Sequence, residues 1–241
     1  MNNILVMTAS IKVNKDMAYH LHIPENERLK QYIDALIFYI TESNFSDIIF
    51  ADWSWYDMNQ LKFLDNLAKI YGKKLELLSL KNDESLVVRY WKGYWESKIL
   101  ELVINNSKII KNYKEFFKVT WRYVVKNINK ILINEKDKWN CFFKWYYMNW
   151  KSFCNTAFFK VEKEFFNKVL YWAWNNVNDK EWTYLEHIYL NILKKYSNKI
   201  SWFKELPIFH WASGGNWKKI DLNSIILIIY KSLNKLWFFN L

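Results

Sequence analysis

Residues able to do chemistry gather in three places along the chain. The first is Arg89-Tyr90-Trp91-Lys92-Gly93-Tyr94-Trp95-Glu96, where cations, a glycine and aromatics precede a helical pattern. With glycine in place of Trp91 and Trp95 this would be a basic glycine-rich loop entering a helix N-terminus, aiming backbone N–H groups, Arg89 and Lys92 at phosphate oxygens, with Gly93 and Tyr94 in the turn. Its spacing is neither that of a Walker A loop nor that of a dinucleotide fingerprint. A solvated surface turn is the plainer alternative. The second group ends the apolar runs: Thr8 and Ser10, then Asp52 and Ser54, then Lys118, Thr120 and Arg122. Hydroxyls and cations there suit ribose and phosphate, although loop solvation and helix capping use the same residues. The third is the acid–imidazole pair Glu186-His187, either of which could take a proton from a hydroxyl. Neighbours on a helix point about 100° apart, so one of the two faces a given site. Asp52, His210 and Asp179 are the other candidates for that task. Metal chemistry has little support. His20, His22, His187 and His210 do not pair with Cys141 or Cys154 at zinc-site spacing, and no Asp-x-Asp occurs.

These residues need elements to hold them. Ile4-Leu5-Val6-Met7 reads as a buried strand entering a polar loop, and Asp47 to Asp52 and Lys74 to Ser79 read as two more. Between them, Pro24 opens a helix carrying Leu29, Tyr32, Ile33, Leu36, Ile37 and Ile40 at spacings of three and four. A second helix holds Leu61, Leu64, Leu67, Ala68 and Tyr71 and stops at Gly72. Strand and helix alternating with short links predict an open, mostly parallel α/β sheet flanked by helices, in a single domain. Further on, the Arg89–Glu96 turn leads into a helix with Ile99, Leu100, Val103 and Ile104 on one face. Phe116 to Tyr123 reads as a central strand. Phe142 to Tyr147 and Phe153 to Phe159 read as strands of antiparallel type, and Glu162 to Leu170 and Thr183 to Lys195 as helices. A short last strand, Pro207 to His210, precedes a glycine turn.

Composition narrows the class. The 241 residues carry 35 Lys+Arg against 24 Asp+Glu, a net charge of +11, with 51% hydrophobic residues, which excludes a disordered chain. Two cysteines are too few for a disulfide scaffold, so a reducing, cytoplasmic setting is expected. No signal peptide or membrane span is legible. Leu222 to Leu241 combines a strongly apolar face with Lys231 and Lys235, the pattern of an interfacial helix or of a terminal helix packed on the core.

One count is abnormal: 4 glycines and 15 tryptophans. Ordinary usage would place about 17 glycines and on the order of 3 tryptophans in this length, so the deficit of one matches the surplus of the other. Trp53 and Trp55 flank Ser54, Trp91 and Trp95 flank Lys92-Gly93-Tyr94, and Trp211 and Trp217 flank Ala212 to Asn216. Turns of this kind favour a small residue that tolerates positive φ. The pattern predicts a gene whose code reads a stop codon as glycine, rendered here as tryptophan; the alternative is a genuinely Trp-rich protein of a low-GC genome, consistent with its many Lys, Asn and Ile.

Phe116-Phe117-Lys118-Val119-Thr120-Trp121-Arg122-Tyr123, Lys92-Gly93-Tyr94-Trp95-Glu96 and Tyr184-Leu185-Glu186-His187 together resemble bacterial surface-polysaccharide glycosyltransferases of the GT-A-like type. In those relatives glycine stands where Trp91, Trp95, Trp121 and Trp182 stand here. The resemblance spans roughly residues 1 to 220. It implies a nucleotide-sugar-binding half over residues 1–125, an acceptor half over 126–220, and a C-terminal amphipathic helix over 221–241. Donor-binding candidates are then Thr8, Ser10, Asp52, Ser54, Arg89, Lys92, Gly93, Tyr94, Lys118, Thr120 and Arg122; Glu186, His187 and Asp52 are the catalytic candidates. Many GT-A enzymes hold a divalent metal with an Asp-x-Asp motif. This chain has none, so cations at the strand end are expected to meet the departing diphosphate, with no cofactor required. The expected partners are a nucleotide-sugar and a glycan or lipid-linked acceptor, at the anionic inner face of a membrane. Two other classes remain open from the residues themselves. One is a basic nucleic-acid-binding module, in which aromatics stack bases; lysines scattered along the chain argue against it. The other is a membrane-surface protein without catalysis.

Overall fold

Apolar runs with polar ends build a sheet. The computed structural model describes residues 3–12, 23–81, 84–120, 122–146, 152–177 and 183–210, with the backbone alone for 84–93 and 145–146. Ile4–Ala9 (β1) and Asp47–Asp52 (β2) are buried along their whole length, as strands covered on both faces must be. Between them Glu25–Thr41 (α1) buries Arg28, Tyr32, Ala35, Leu36, Tyr39 and Ile40. Phe63–Ile70 (α2) follows and ends at Gly72, whose φ of 68° suits the left-handed position that closes a helix. There the Lys73 N–H reaches the Ala68 carbonyl at 2.9 Å and the Gly72 N–H reaches that of Lys69 at 3.0 Å, the paired bonds of a Schellman ending. Lys74–Ser79 (β3) interleaves charged with apolar residues and stays partly exposed at the sheet edge.

The second half completes the sheet with reversed strands. Its elements are Glu84–Asn106 (α3), Glu115–Thr120 (β4), Val124–Val125 (β5), Ile128–Asn134 (α4), Cys141–Phe142 (β6), Lys144–Tyr146 (β7), Ser152–Cys154 (β8) and Phe158–Glu162 (β9). Lys163–Phe165 (α5), Leu185–Lys195 (α6), Ser201–Trp202 (β10) and Phe209–His210 (β11) follow. The sheet has seven strands in the order β10-β6-β9-β4-β1-β2-β3. β4, β1, β2 and β3 run parallel, whereas β9 is antiparallel to both of its neighbours. β7 with β8, and β5 with β11, form small antiparallel pairs beside it. The predicted α/β class, the mostly parallel sheet and the single domain therefore hold.

Side-chain alternation along the strands sorts the core into two layers. Leu5, Met7, Phe117 and Val119 face α1 and α2, while Ile4, Val6 and Phe116 face α3 and α6. One expectation needs correction. Arg89 to Glu96 is not a turn leading into a helix; it lies inside α3, whose first residue is Glu84. In that stretch Gly93 is the sole weak helix former, and Tyr94 packs inward, 4% exposed, with its ring 4.9 Å edge-on to Trp174. Backbone N–H groups engaged within a helix are unavailable to a phosphate. The side chains of Arg89, Lys92 and Gly93, together with His20, His22, Trp121, Asp179, Trp182 and the segment 211–241, lie outside the described residues. No helix among the described residues is long and apolar enough to cross a membrane.

Candidate functional site

The carboxyl ends of β1, β2 and β4 lie side by side, with Thr8 opposite Ala51 and Thr120, and Ala9 opposite Asp52. Ligands of open α/β sheets settle along such an edge. Asp52, fully buried, binds its own surroundings there. Its carboxylate accepts the Ile11 N–H at 2.8 Å, the Ser54 N–H at 2.8 Å, the Tyr56 N–H at 3.0 Å and the Ser54 hydroxyl at 2.8 Å. Burial raises the Asp52 pKa, and these donors oppose that rise without cancelling it. The Ser54 hydroxyl in turn accepts the Lys12 N–H at 2.8 Å. Asp52 and Ser54 thus clasp the β1 and β2 turns together, and their contacts favour this holding role over a base at Asp52. Thr8 hydrogen-bonds the Val119 carbonyl at 3.5 Å, and the Ser10 N–H donates to the Tyr32 hydroxyl at 3.0 Å.

On the α3 face of the sheet, residues from four separate segments join in one hydrogen-bonded chain, buried except at the partly exposed Glu186. Lys118 on β4 points from the sheet toward α3, where its ammonium lies 3.3 Å from Glu96. It also donates to the Thr120 hydroxyl and to the Thr156 carbonyl. The Thr156 hydroxyl then donates to Glu186 on α6 at 3.2 Å. Lys118 is wholly buried and Glu96 is 8% exposed. Two charges this deep need each other and the extra acceptors, since an unpaired one would carry the full desolvation cost. Cys154 lies against the same group: burial pushes its thiol pKa up, Glu186 adds to that and Lys118 opposes it.

The fold therefore unites the Lys118, Thr120 and Glu186 of the sequence reading. It separates Glu186 from its neighbour, because His187 turns to the rings of Phe153 at 6.4 Å and Tyr184 at 5.8 Å. Arg122, 2% exposed, lies just past the end of β4 with its guanidinium carbon 5.8 Å from the centre of the Tyr32 ring. His210 sits apart, paired with Val124 in the β5–β11 ladder. Sequence reasoning missed Glu96 and Thr156 as site residues. Glu96 ends the Lys92–Glu96 motif, which was signal enough; a threonine in the run Cys154-Asn155-Thr156 gave none. Among the described residues no three of His, Cys, Asp and Glu come together as a metal-binding group.

The tryptophans shape this edge. Trp53, 2% exposed, follows Asp52 and stacks on Trp95 at 6.4 Å. The indole N–H groups of Trp53 and Trp95 are buried and find no hydrogen-bond acceptor among the described residues. Trp55, 63% exposed, holds a φ of 56°, a conformation that costs an L-residue with a Cβ roughly 1–2 kcal/mol.

No protein-family model matches the sequence, and no curated protein matches it. Solved structures do. The mannosyltransferase Ktr4p from S. cerevisiae superposes with a TM-score of 0.52 at 11% identity, over 88% of this chain and 70% of its own. The apo-form glycosyltransferase GlyE in Streptococcus pneumoniae TIGR4 superposes with a TM-score of 0.53 at 8% identity, over 99% of this chain and 63% of its own. This chain thus spans less than two thirds of GlyE. A glycosyltransferase involved in the glycosylation of the major capsid of PBCV-1 matches at a TM-score of 0.43 and 11% identity, over 83% of this chain and 81% of its own. The first two likenesses establish a glycosyltransferase-like fold.

Proposed function

We propose that this chain moves a sugar from a nucleotide-sugar donor to a bacterial surface polysaccharide or lipid-linked glycan. The observation that carries the reading is the junction of Glu96, Lys118, Thr120, Thr156 and Glu186 in a sheet of glycosyltransferase-like fold. In an inverting transfer, Glu186 takes the proton of the acceptor hydroxyl. The hydroxyl oxygen bonds to the anomeric carbon, and the nucleoside diphosphate leaves with the bonding electrons. Thr156 fixes the carboxylate of Glu186, and Lys118 fixes Thr156. Arg122, at the end of β4, meets the negative charge that develops on the diphosphate, the task a divalent metal performs elsewhere. The proposed donor half, 1–125, and acceptor half, 126–220, meet where β4 pairs with β9. The +11 charge and the segment 221–241 would keep the protein peripheral to an anionic inner leaflet.

The test is release of free nucleotide from a panel of UDP-, GDP- and CMP-sugars by the purified full chain. Glu186→Gln should lower turnover at least 100-fold with donor affinity unchanged by titration calorimetry, and chelator should leave the rate intact. Full turnover in Glu186→Gln removes the assigned base, a chelator-abolished rate removes the metal independence, and failure of every nucleotide-sugar to bind removes the reading.

We also infer that glycine is the native residue at the tryptophan positions of this edge. The positive φ of Trp55 and the idle, buried indole N–H groups of Trp53 and Trp95 support this, each being a cost that glycine lacks. Glycine at 53 and 95 would also leave room for a donor beside Asp52 and Glu96. Peptide masses from the native source decide the point: residues of glycine mass at these positions support the inference, and tryptophan masses end it.

A further inference from the structure

On the opposite face of the sheet from the Lys118 chain stands a second concentration of charge. Arg28 lies in the first turn of α1 and is 6% exposed. One of its N–H groups, on Nη2, donates to the Ile23 carbonyl at 3.2 Å. Its Nε and Nη1 are buried and make no hydrogen bond among the described residues. Buried guanidinium groups ordinarily face a carboxylate. Among the described residues none stands within ion-pair reach of Arg28; Glu25, three positions earlier, is exposed and acts only from a distance.

One turn further along α1, Tyr32 connects Arg28 to the sheet edge. Its hydroxyl accepts the Ser10 N–H at the end of β1, and its ring lies 5.8 Å from the Arg122 guanidinium carbon at the end of β4. Two cations from different elements are thus gathered around one ring, at the edge where β1 and β4 end, beside the positively polarised first turn of a helix. Burial, and to a smaller degree the charge of Arg122, lowers the Arg28 pKa, the direction expected of a cation lacking its counter-ion.

We propose that Arg28 and Arg122 form a two-arginine clamp for a diphosphate. A dianion with several oxygens can answer two guanidinium groups together with the idle donors of Arg28, which a single carboxylate would leave half compensated. The clamp rests on the donor reading given above and deepens it by assigning the diphosphate to the α1 side of the edge. The sugar then extends toward the Lys118 and Glu186 side.

Titration calorimetry on the full chain tests the clamp, with inorganic diphosphate, UDP, GDP and the free nucleosides as probes. Wild-type protein should bind diphosphate, Arg28→Gln should bind it at least about tenfold more weakly, and Arg28→Lys should fall between them. Without ligand, Arg28→Gln should melt no lower than wild type, because it removes a buried charge that has no counter-ion among the described residues; this also shows that the variant folds. Equal diphosphate affinity in wild type and Arg28→Gln, or no binding by wild type, overturns the clamp. A nucleoside diphosphate that binds both proteins alike would leave the glycosyl-transfer reading standing without the clamp. Diphosphate binding that depends on Arg28, with no added affinity from any nucleoside, would leave the clamp standing and remove the nucleotide donor.

Discussion

Lys118 shows how much one buried ammonium organises. It neutralises Glu96, orders Thr120 and ties the Thr156 carbonyl, and through Thr156 it reaches the assigned base. Lys118→Met should cost about 3–5 kcal/mol, since it takes the ion-pair partner from a buried Glu96. The double substitution Lys118→Met with Glu96→Leu should recover much of that loss in urea unfolding and none of the turnover. A double variant as unstable as the single would show that packing at 118, rather than charge, sets the cost. Thr156→Val should lower stability by only about 1 kcal/mol, the net worth of one hydrogen bond, yet reduce turnover by releasing Glu186. The strand-end candidates were legible in the sequence because polar residues closing apolar runs stand out. Arg28 was not. It sits four residues before Tyr32 on the buried stripe of α1, just ahead of the apolar residues Leu29, Tyr32, Ile33, Leu36, Ile37 and Ile40 that mark the helix, and an apolar period does not register a buried cation.

Among the elements, the first half of the chain was readable almost to the residue. β1, α1, β2, α2 and β3 each pair an unbroken apolar period with a clear stop, Gly72 being the plainest. Gly72→Ala should cost about 1 kcal/mol through its positive φ alone, with nothing sterically opposing the new methyl, and thermal unfolding would measure it. α3 was misread at its start because Lys92-Gly93-Tyr94 looks like a turn when taken alone. Within a 23-residue helix, one glycine is a tolerated weak point. Gly93→Ala should accordingly raise stability by about 0.5–1 kcal/mol; a comparable loss would mean that the segment is a turn after all. The reversal at β9 was only partly legible. Strand pairing between distant segments depends on tertiary packing, and no local period records it.

For the molecule as a whole, burial of thiols and phenols sets an alkaline limit. Burial pushes the Cys141 thiol up to about 12 and raises Cys154, Tyr32, Tyr39 and Tyr189 as well. Each folded pKa lies above its unfolded value. The stability these groups contribute is therefore complete below their ordinary pKa values, near 9 to 10, and is lost as pH climbs toward the folded ones. The loss approaches 1.4 kcal/mol per group for each pH unit in that window. Lys73 works in the opposite sense: burial lowers it to about 8, so its own contribution improves as pH rises from 8 toward 10.5. Burial lowers Lys144 and Lys163 in the same sense, but the raised thiols and phenols, Tyr56, Tyr113 and Tyr171 included, outnumber the lowered lysines and predict a falling melting temperature above pH 9, measured by circular dichroism between pH 8 and 11. A flat profile would mean that the interior opens to water before these groups titrate. Both cysteines should also resist thiol reagents at pH 8 until denaturant is added.

The clasp at Asp52 has a mechanical consequence. One carboxylate accepts hydrogen bonds from the amides of Ile11, Ser54 and Tyr56, and so rivets the segments that follow two strands, Ile11 and Asp52 being 41 residues apart in sequence. Neither can hinge alone without abandoning a buried anion. The three amides should open to deuterium with a single common rate, and any closing motion over this rim has to carry both segments as a rigid plate.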